Sequence, residues 1–102
     1  MTSETRSYPG ARPPDRVRRV DADGVGIAVH EWGKESDPVL FLVHGGSDFA
    51  RTFDLFATKM ADAGWRAVAW DHRGHGDSDR SPSADYALET LCADVLNVID
   101  EI

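Results

Sequence analysis

The chain has 102 residues, 41% hydrophobic and 28% charged, with 18 acidic side chains against 11 basic ones and a formal net charge of -7. That composition suits one globular domain with a modest core. Its negative field argues against nonspecific binding to nucleic acid or anionic membranes, so neither partner is expected. Apolar runs reach only about five residues against the roughly 20 of a membrane span. The polar start lacks a signal-peptide core, and Cys92 is the single cysteine. A reduced, cytoplasmic protein is expected.

Residues 1–15 hold Pro9, Gly10, Pro13 and Pro14 among polar side chains and are predicted to be a disordered arm. The folded part is then 16–102. Arg16 to Asp21 and Val25 to Trp32 bracket Ala22-Asp23-Gly24, a hairpin signal. Val25, Ile27 and Val29 alternate with Gly26, Ala28 and His30, the pattern of a half-buried strand. After a polar loop, Val39 to Val43 is continuously apolar, which predicts a strand covered on both faces.

Phe53, Phe56 and Met60 follow at helical spacing, with Thr52 placed to cap the start and Gly64 placed at the C′ position. Trp65 to Trp70 reads as the next strand. The chain ends in a helix whose residues Leu88, Leu91, Val95, Val98, Ile99 and Ile102 share one face, opposite Glu89, Asp94, Asp100 and Glu101. Cys92 is predicted to be a small core residue, and Trp32, Trp65 and Trp70 core or rim aromatics. A hairpin followed by β-α-β-α implies an α/β fold with a mostly parallel sheet, layered by helices.

Two glycine-rich turns stand at the ends of the apolar strands. The first is His44-Gly45-Gly46, where glycines let backbone N–H groups approach a ligand closely and two such donors can form an oxyanion hole. Read alone, it could equally be a tight loop without chemical duty. The second is Asp71-His72-Arg73-Gly74-His75-Gly76-Asp77-Ser78-Asp79. Its H-x-x-H-x-D spacing raises a metal site, but the intervening glycines signal a turn rather than a ligand-bearing helix, so no metal or other cofactor is expected. Asp71 and Arg73 are instead expected to tie the turn. Gly76-Asp77-Ser78 echoes the GDS start of a second esterase superfamily, but here it follows the fourth strand inside a longer motif.

No nucleophile elbow G-x-S-x-G occurs. Ser47 and Ser78 lack the final glycine, having Phe49 and Arg80 in its place. No catalytic nucleophile, acid or histidine is assigned within the chain.

Together, HGG after one buried strand, DHRGHGDSD after the next, and the helix Leu88 to Ile102 resemble the N-terminal portion of an α/β-hydrolase, over about residues 17 to 102. The resemblance implies that the N–H of Gly46 contributes to an oxyanion hole, supported by His44 and Gly45. It also implies that Asp71, Arg73, Gly74, Gly76 and Ser78 form an architectural loop at the active-site rim. Family members continue to a fifth strand, the elbow, a lid and the rest of the triad, so a truncated chain, inactive alone, is expected. The activity implied for a full-length relative is hydrolysis of a small ester, amide or related molecule. Alternatives are an epoxide hydrolase or dehalogenase with an aspartate nucleophile, a non-catalytic binding module, or half of a two-chain enzyme. Gly46 replaces a larger residue of many epoxide hydrolases and dehalogenases, which favours a serine hydrolase. In the family's sheet order Val39 to Val43 would keep an unpaired edge, so self-association through it is expected.

Overall fold

The computed structural model describes residues 9–102, and residues 1–8 of the expected arm lie outside the described residues. Four strands, Arg16–Ala22 (β1), Val25–Trp32 (β2), Val39–Val43 (β3) and Arg66–Trp70 (β4), form one sheet in the order β1-β2-β4-β3. Two helices, Asp54–Asp62 (α1) and Leu88–Glu101 (α2), accompany it, with a 3-10 turn at Ala50–Phe53 leading into α1. Only β3 and β4 are parallel, while β2 runs antiparallel to both its neighbours.

The hairpin register pairs Ala22 with Val25. The two turn residues, Asp23 and Gly24, are both left-handed, with φ of 53° and 86°, as a primed turn matching strand twist requires. Arg12 to Asp15 do not form a disordered arm. The Arg12 N–H donates to Thr58 Oγ1 and its carbonyl accepts from Trp32 Nε1, and Asp15 Oδ2 accepts from the Gly33 N–H.

β2 is buried on both faces, not on one, because the sheet places it between β1 and β4. One face packs Ile27 and Val29 with Val20, Val68, Trp70 and Val98 of α2. The other packs Trp32, Leu42, Ala67 and Ala69 with Ala50 and Ala57. Glu31, fully buried on β2, receives Arg66 Nε at 2.8 Å and a second Arg66 nitrogen at 2.6 Å, with Arg16 and Arg18 of β1 also within ion-pair distance.

The predicted C′ residue Gly64 holds that position. Its N–H donates to the Ala61 carbonyl and the Trp65 N–H to that of Met60, a Schellman closure. Thr52 does not cap α1. Its hydroxyl donates to Asp48 Oδ1, and the 3-10 turn shifts the helix start to Asp54. On α2, Asp94 is buried and not on the solvent face, whereas Cys92 and Leu88 are exposed and not in the core.

β3 departs furthest from expectation. Only Leu42 is buried, and Val39 and Val43 are 36% and 49% exposed. The strand pairs with β4 on one side and, among the described residues, with no strand on the other. The opposite sheet edge, β1, carries Arg16, Arg18 and Arg19, which discourage strand addition. β3 carries no charge. The chain is therefore expected to self-associate through β3, eluting above monomer mass in size-exclusion chromatography with light scattering. Val43→Lys should shift it toward monomer, and a wild-type chain already monomeric at high concentration would contradict this.

Candidate functional site

Parallel pairing of β3 with β4 sets Val43 beside Trp70, so the segments beginning at His44 and Asp71 leave the sheet side by side. Three histidines bind these two loops together. The His72 N–H donates to His44 Nε2 at 3.0 Å, and the His72 ring nitrogen Nε2 donates back to the His44 carbonyl at 3.0 Å. His44 Nδ1 donates to the Gly45 carbonyl at 2.5 Å. His75 Nδ1 donates to the Arg73 carbonyl at 3.0 Å, and its Nε2 accepts the Ser47 N–H at 3.2 Å. Backbone N–H groups only donate and carbonyls only accept, so these partners assign His44 and His75 as neutral Nδ1–H tautomers and make His72 Nε2 a donor.

Within the first loop, Gly46 is exposed and its N–H makes no hydrogen bond among the described residues. A methyl group built on Gly46 would meet nothing within 4 Å. The left-handed residue is Ser47 instead, with φ of 62°. The loop thus places its tight bend one residue after Gly46.

The second loop is built around Asp71, which is 2% exposed. Its Oδ1 accepts the Ala50 N–H at 2.6 Å, and its Oδ2 accepts the Asp77 N–H and His30 Nε2, both at 3.0 Å. Burial is the largest influence on this carboxyl and would raise its pKa. The His30 hydrogen bond, then the two backbone N–H groups and the His30 charge, outweigh it and hold the pKa below the usual carboxylate range. Gly76, at φ 48°, lies so close that an added Cβ would stand 2.4 Å from the carboxyl carbon. Ser78 Oγ donates to the Asp71 carbonyl and accepts the Ala28 N–H at 2.8 Å, which uses that hydroxyl to join the loop to β2.

Arg73 ties this loop to distant elements as well as to itself. Its guanidinium makes a bidentate pair with Asp94 of α2 at 2.7 and 2.9 Å and reaches the carbonyls of Asp85 and Ala22. The Asp94 hydrogen bonds are the main reason its pKa is raised. Gly74, at φ 77°, backs onto the Tyr86 ring.

The H-x-x-H-x-D residues are not gathered into a ligand set, since His72 and His75 turn toward residues 44–47. Ligand atoms of His30, Asp71 and Asp77 do lie within 4.8 Å of one another. Both Asp71 oxygens and His30 Nε2 are already hydrogen-bonded, however, so the geometry is that of a structural hub. His30 and Asp94 escaped the sequence reading. His30 had no local signal, but Asp94 falls between Leu91 and Val98 on the apolar stripe of α2, where a carboxylate needs a buried partner.

Acid should loosen these loops. Burial, first, and the His44 charge, second, push His72 below the usual imidazole range. A base with a lowered folded pKa binds protons more readily unfolded. Stability is therefore full above about pH 6.5 and falls as pH drops toward the folded value. Asp71 contributes stability above about pH 4 that is lost as pH falls further, toward its lowered folded pKa. Thermal midpoints should fall in two stages on acidification, and His72→Gln should flatten the first. An unchanged first stage would exclude His72 as its source.

Comparison with known proteins is consistent with this geometry. The family model described as serine aminopeptidase, S33, matches residues 34–102. The chain is 35% identical over 86 residues to epoxide hydrolase A of Mycobacterium tuberculosis, covering 83% of this chain and 27% of that protein. It is 44% identical over 75 residues to a serine hydrolase-like protein of Dictyostelium discoideum, covering 67% of this chain and 21% of the relative. Among solved structures, a thioesterase domain from the curacin biosynthetic pathway superposes with a TM-score of 0.82 at 28% identity, covering 85% of this chain and 33% of the other. The chain thus spans about a quarter of the length of the curated relatives it matches.

Proposed function

We propose, from the premise that this chain belongs to the α/β-hydrolase family, that its 102 residues supply the oxyanion side of a hydrolase site whose nucleophile comes from residues outside them. The observation that carries the reading is the unspent, exposed N–H of Gly46, held by the histidine-linked loops at the carboxyl end of β3. Ligands of open α/β sheets bind at that rim. A preorganised N–H there stabilises charge developing on a carbonyl or epoxide oxygen. His44 and Gly45 shape the loop, and Asp71, Arg73, Gly74, Gly76 and Ser78 hold the rim.

The substrate class we favour is a small ester, thioester or amide opened by a serine nucleophile, supported by the small residue at Gly46 and the serine hydrolase-like relative. The similarity to epoxide hydrolase A supports a second reading, an aspartate nucleophile opening an epoxide. No helix among the described residues is long and apolar enough to cross a membrane, and a reduced, cytoplasmic setting suits the exposed Cys92 thiol.

Without a nucleophile and base, an oxyanion donor stabilises a transition state that nothing generates. The 102-residue chain should therefore leave p-nitrophenyl esters and styrene oxide at the background rate. Turnover abolished by Ser47→Ala or Ser78→Ala would overturn this. In a hybrid carrying these residues in place of the matching segment of epoxide hydrolase A, Gly46→Pro should lower kcat by about 10²-fold, the scale of losing one oxyanion donor. Proline removes the N–H. Gly46→Ala keeps the N–H and meets open space, so it should leave the thermal midpoint unchanged. Full activity of the proline variant would refute the oxyanion role.

A further inference from the structure

We propose that His44 and His75 are positioning residues that hold the 44–48 loop against the 71–79 loop only as neutral rings. The catalytic consequence rests on the oxyanion reading of Gly46, while the latch itself stands on the hydrogen bonds. Two of the three loop-to-loop hydrogen bonds share one polarity, with a backbone N–H donating to an imidazole Nε2: His72 to His44 at 3.0 Å and Ser47 to His75 at 3.2 Å. The third, from His72 Nε2 to the His44 carbonyl, uses no ring acceptor and is not broken by a proton on His44 or His75. Each ring's other nitrogen is already fixed as a donor by a carbonyl. A proton added to either Nε2 turns the acceptor into a donor facing a donor, and the contact is lost.

Packing couples the three rings. The His44 ring centroid lies 4.2 Å from that of His72 and 5.4 Å from that of His75, and His72 to His75 is 6.3 Å. A charge on one ring therefore disfavours a proton on the next. His72 Nδ1 is buried without a partner, so that ring has no acceptor for a second N–H. Two carboxylates face the cluster and favour its charged form. Asp48, in the 44–48 loop, is itself occupied by the Thr52 hydroxyl and the Phe49 N–H. Asp94, on α2, is occupied by Arg73. Neither carboxylate is hydrogen-bonded to any of the three rings among the described residues.

Release would free Ser47, the strained left-handed residue that follows Gly46, and with it the aim of the Gly46 N–H. His44 and His75 thus keep the donor pointed outward while their Nε2 atoms accept, and let it swing when either Nε2 takes a proton.

The test uses the full 102-residue chain labelled with 15N-histidine, read in solution or by magic-angle spinning if it is associated. At about pH 8, His44 and His75 should appear as Nδ1–H tautomers and His72 as the Nε2–H tautomer. The Nε2–H form at His44 and His75 would overturn the proposal. Amide hydrogen exchange supplies the second measure. On lowering the pH to about 5, Ser47 and His72 should lose about tenfold in protection beyond the intrinsic pH effect, while Val29 and Val68 in the sheet do not. In His75→Gln a side-chain carbonyl replaces Nε2, so Ser47 protection should become independent of pH. Equal protection at both pH values, or a glutamine variant as pH-sensitive as the wild type, would also overturn it. None of these readouts involves turnover, so a failed oxyanion role for Gly46 and a failed latch are separately visible.

Discussion

Asp94→Leu is expected to lower the unfolding free energy by about 3–5 kcal/mol, the usual cost of leaving one member of a buried ion pair uncompensated. Arg73 is 4% exposed and Asp94 is 2% exposed, so water cannot take over the missing partner. The leucine also cannot satisfy the two guanidinium nitrogens now held at 2.7 and 2.9 Å. The effect should reach beyond α2, because the same guanidinium contacts the Ala22 carbonyl at the β-hairpin and the Asp85 carbonyl ahead of the helix. Arg73→Met combined with Asp94→Leu should recover much of the loss, since removing both charges leaves only the two weaker carbonyl contacts unmade. Urea unfolding at low protein concentration gives the comparison. A single variant within 1 kcal/mol of wild type would mean that the pair is solvated in solution.

The pair also shows where reading the sequence succeeds and where it stops. β2 and β3 begin and end at the residues expected, because alternation, apolar runs and the Asp-Gly turn are local signals. Burial is a property of neighbours. β2 looked half-buried from its alternation but sits between two strands. β3 looked doubly buried from its apolar run but lies at an edge of the sheet. Asp94 was placed on the solvent face by its charge, although its spacing from Leu91 and Val98 puts it on the apolar stripe.

At the site, the glycine turns and strand ends were legible. The histidine contacts were not, because His44 and His72 are 28 residues apart and meet only through parallel pairing of β3 with β4. His30 and Asp71, 41 residues apart, depend in the same way on β2 lying next to β4. Long-range polar partners follow from strand order, which periodicity alone does not encode.

The second large effect is expected at Gly76, and its comparison with Gly46 separates what the two glycine turns require. Gly76→Ala places a Cβ where the Asp71 carboxylate already stands, 2.4 Å from its carbon and one oxygen and 2.6 Å from the other. The left-handed φ of 48° adds a cost of about 1 kcal/mol for any residue with a Cβ. Asp71 cannot simply rotate away, because its two oxygens hold the Ala50 N–H, the Asp77 N–H and His30 Nε2. Displacing it leaves buried groups unpaired at about 1–3 kcal/mol each, so a total loss of about 3 kcal/mol or more is expected. The segment entering α1 should loosen along with the rim, since Ala50 begins the 3-10 turn ahead of that helix. Amide exchange at Ala50 and Asp77 should rise in the alanine variant and stay low in Gly46→Ala, where the added methyl meets open space. Were both variants equally stable, the tight approach of Gly76 to Asp71 could not be what holds the rim loop in place. The contrast follows from chemistry: a donor left exposed for a ligand needs space in front of it, and the scaffold that aims it needs none to spare.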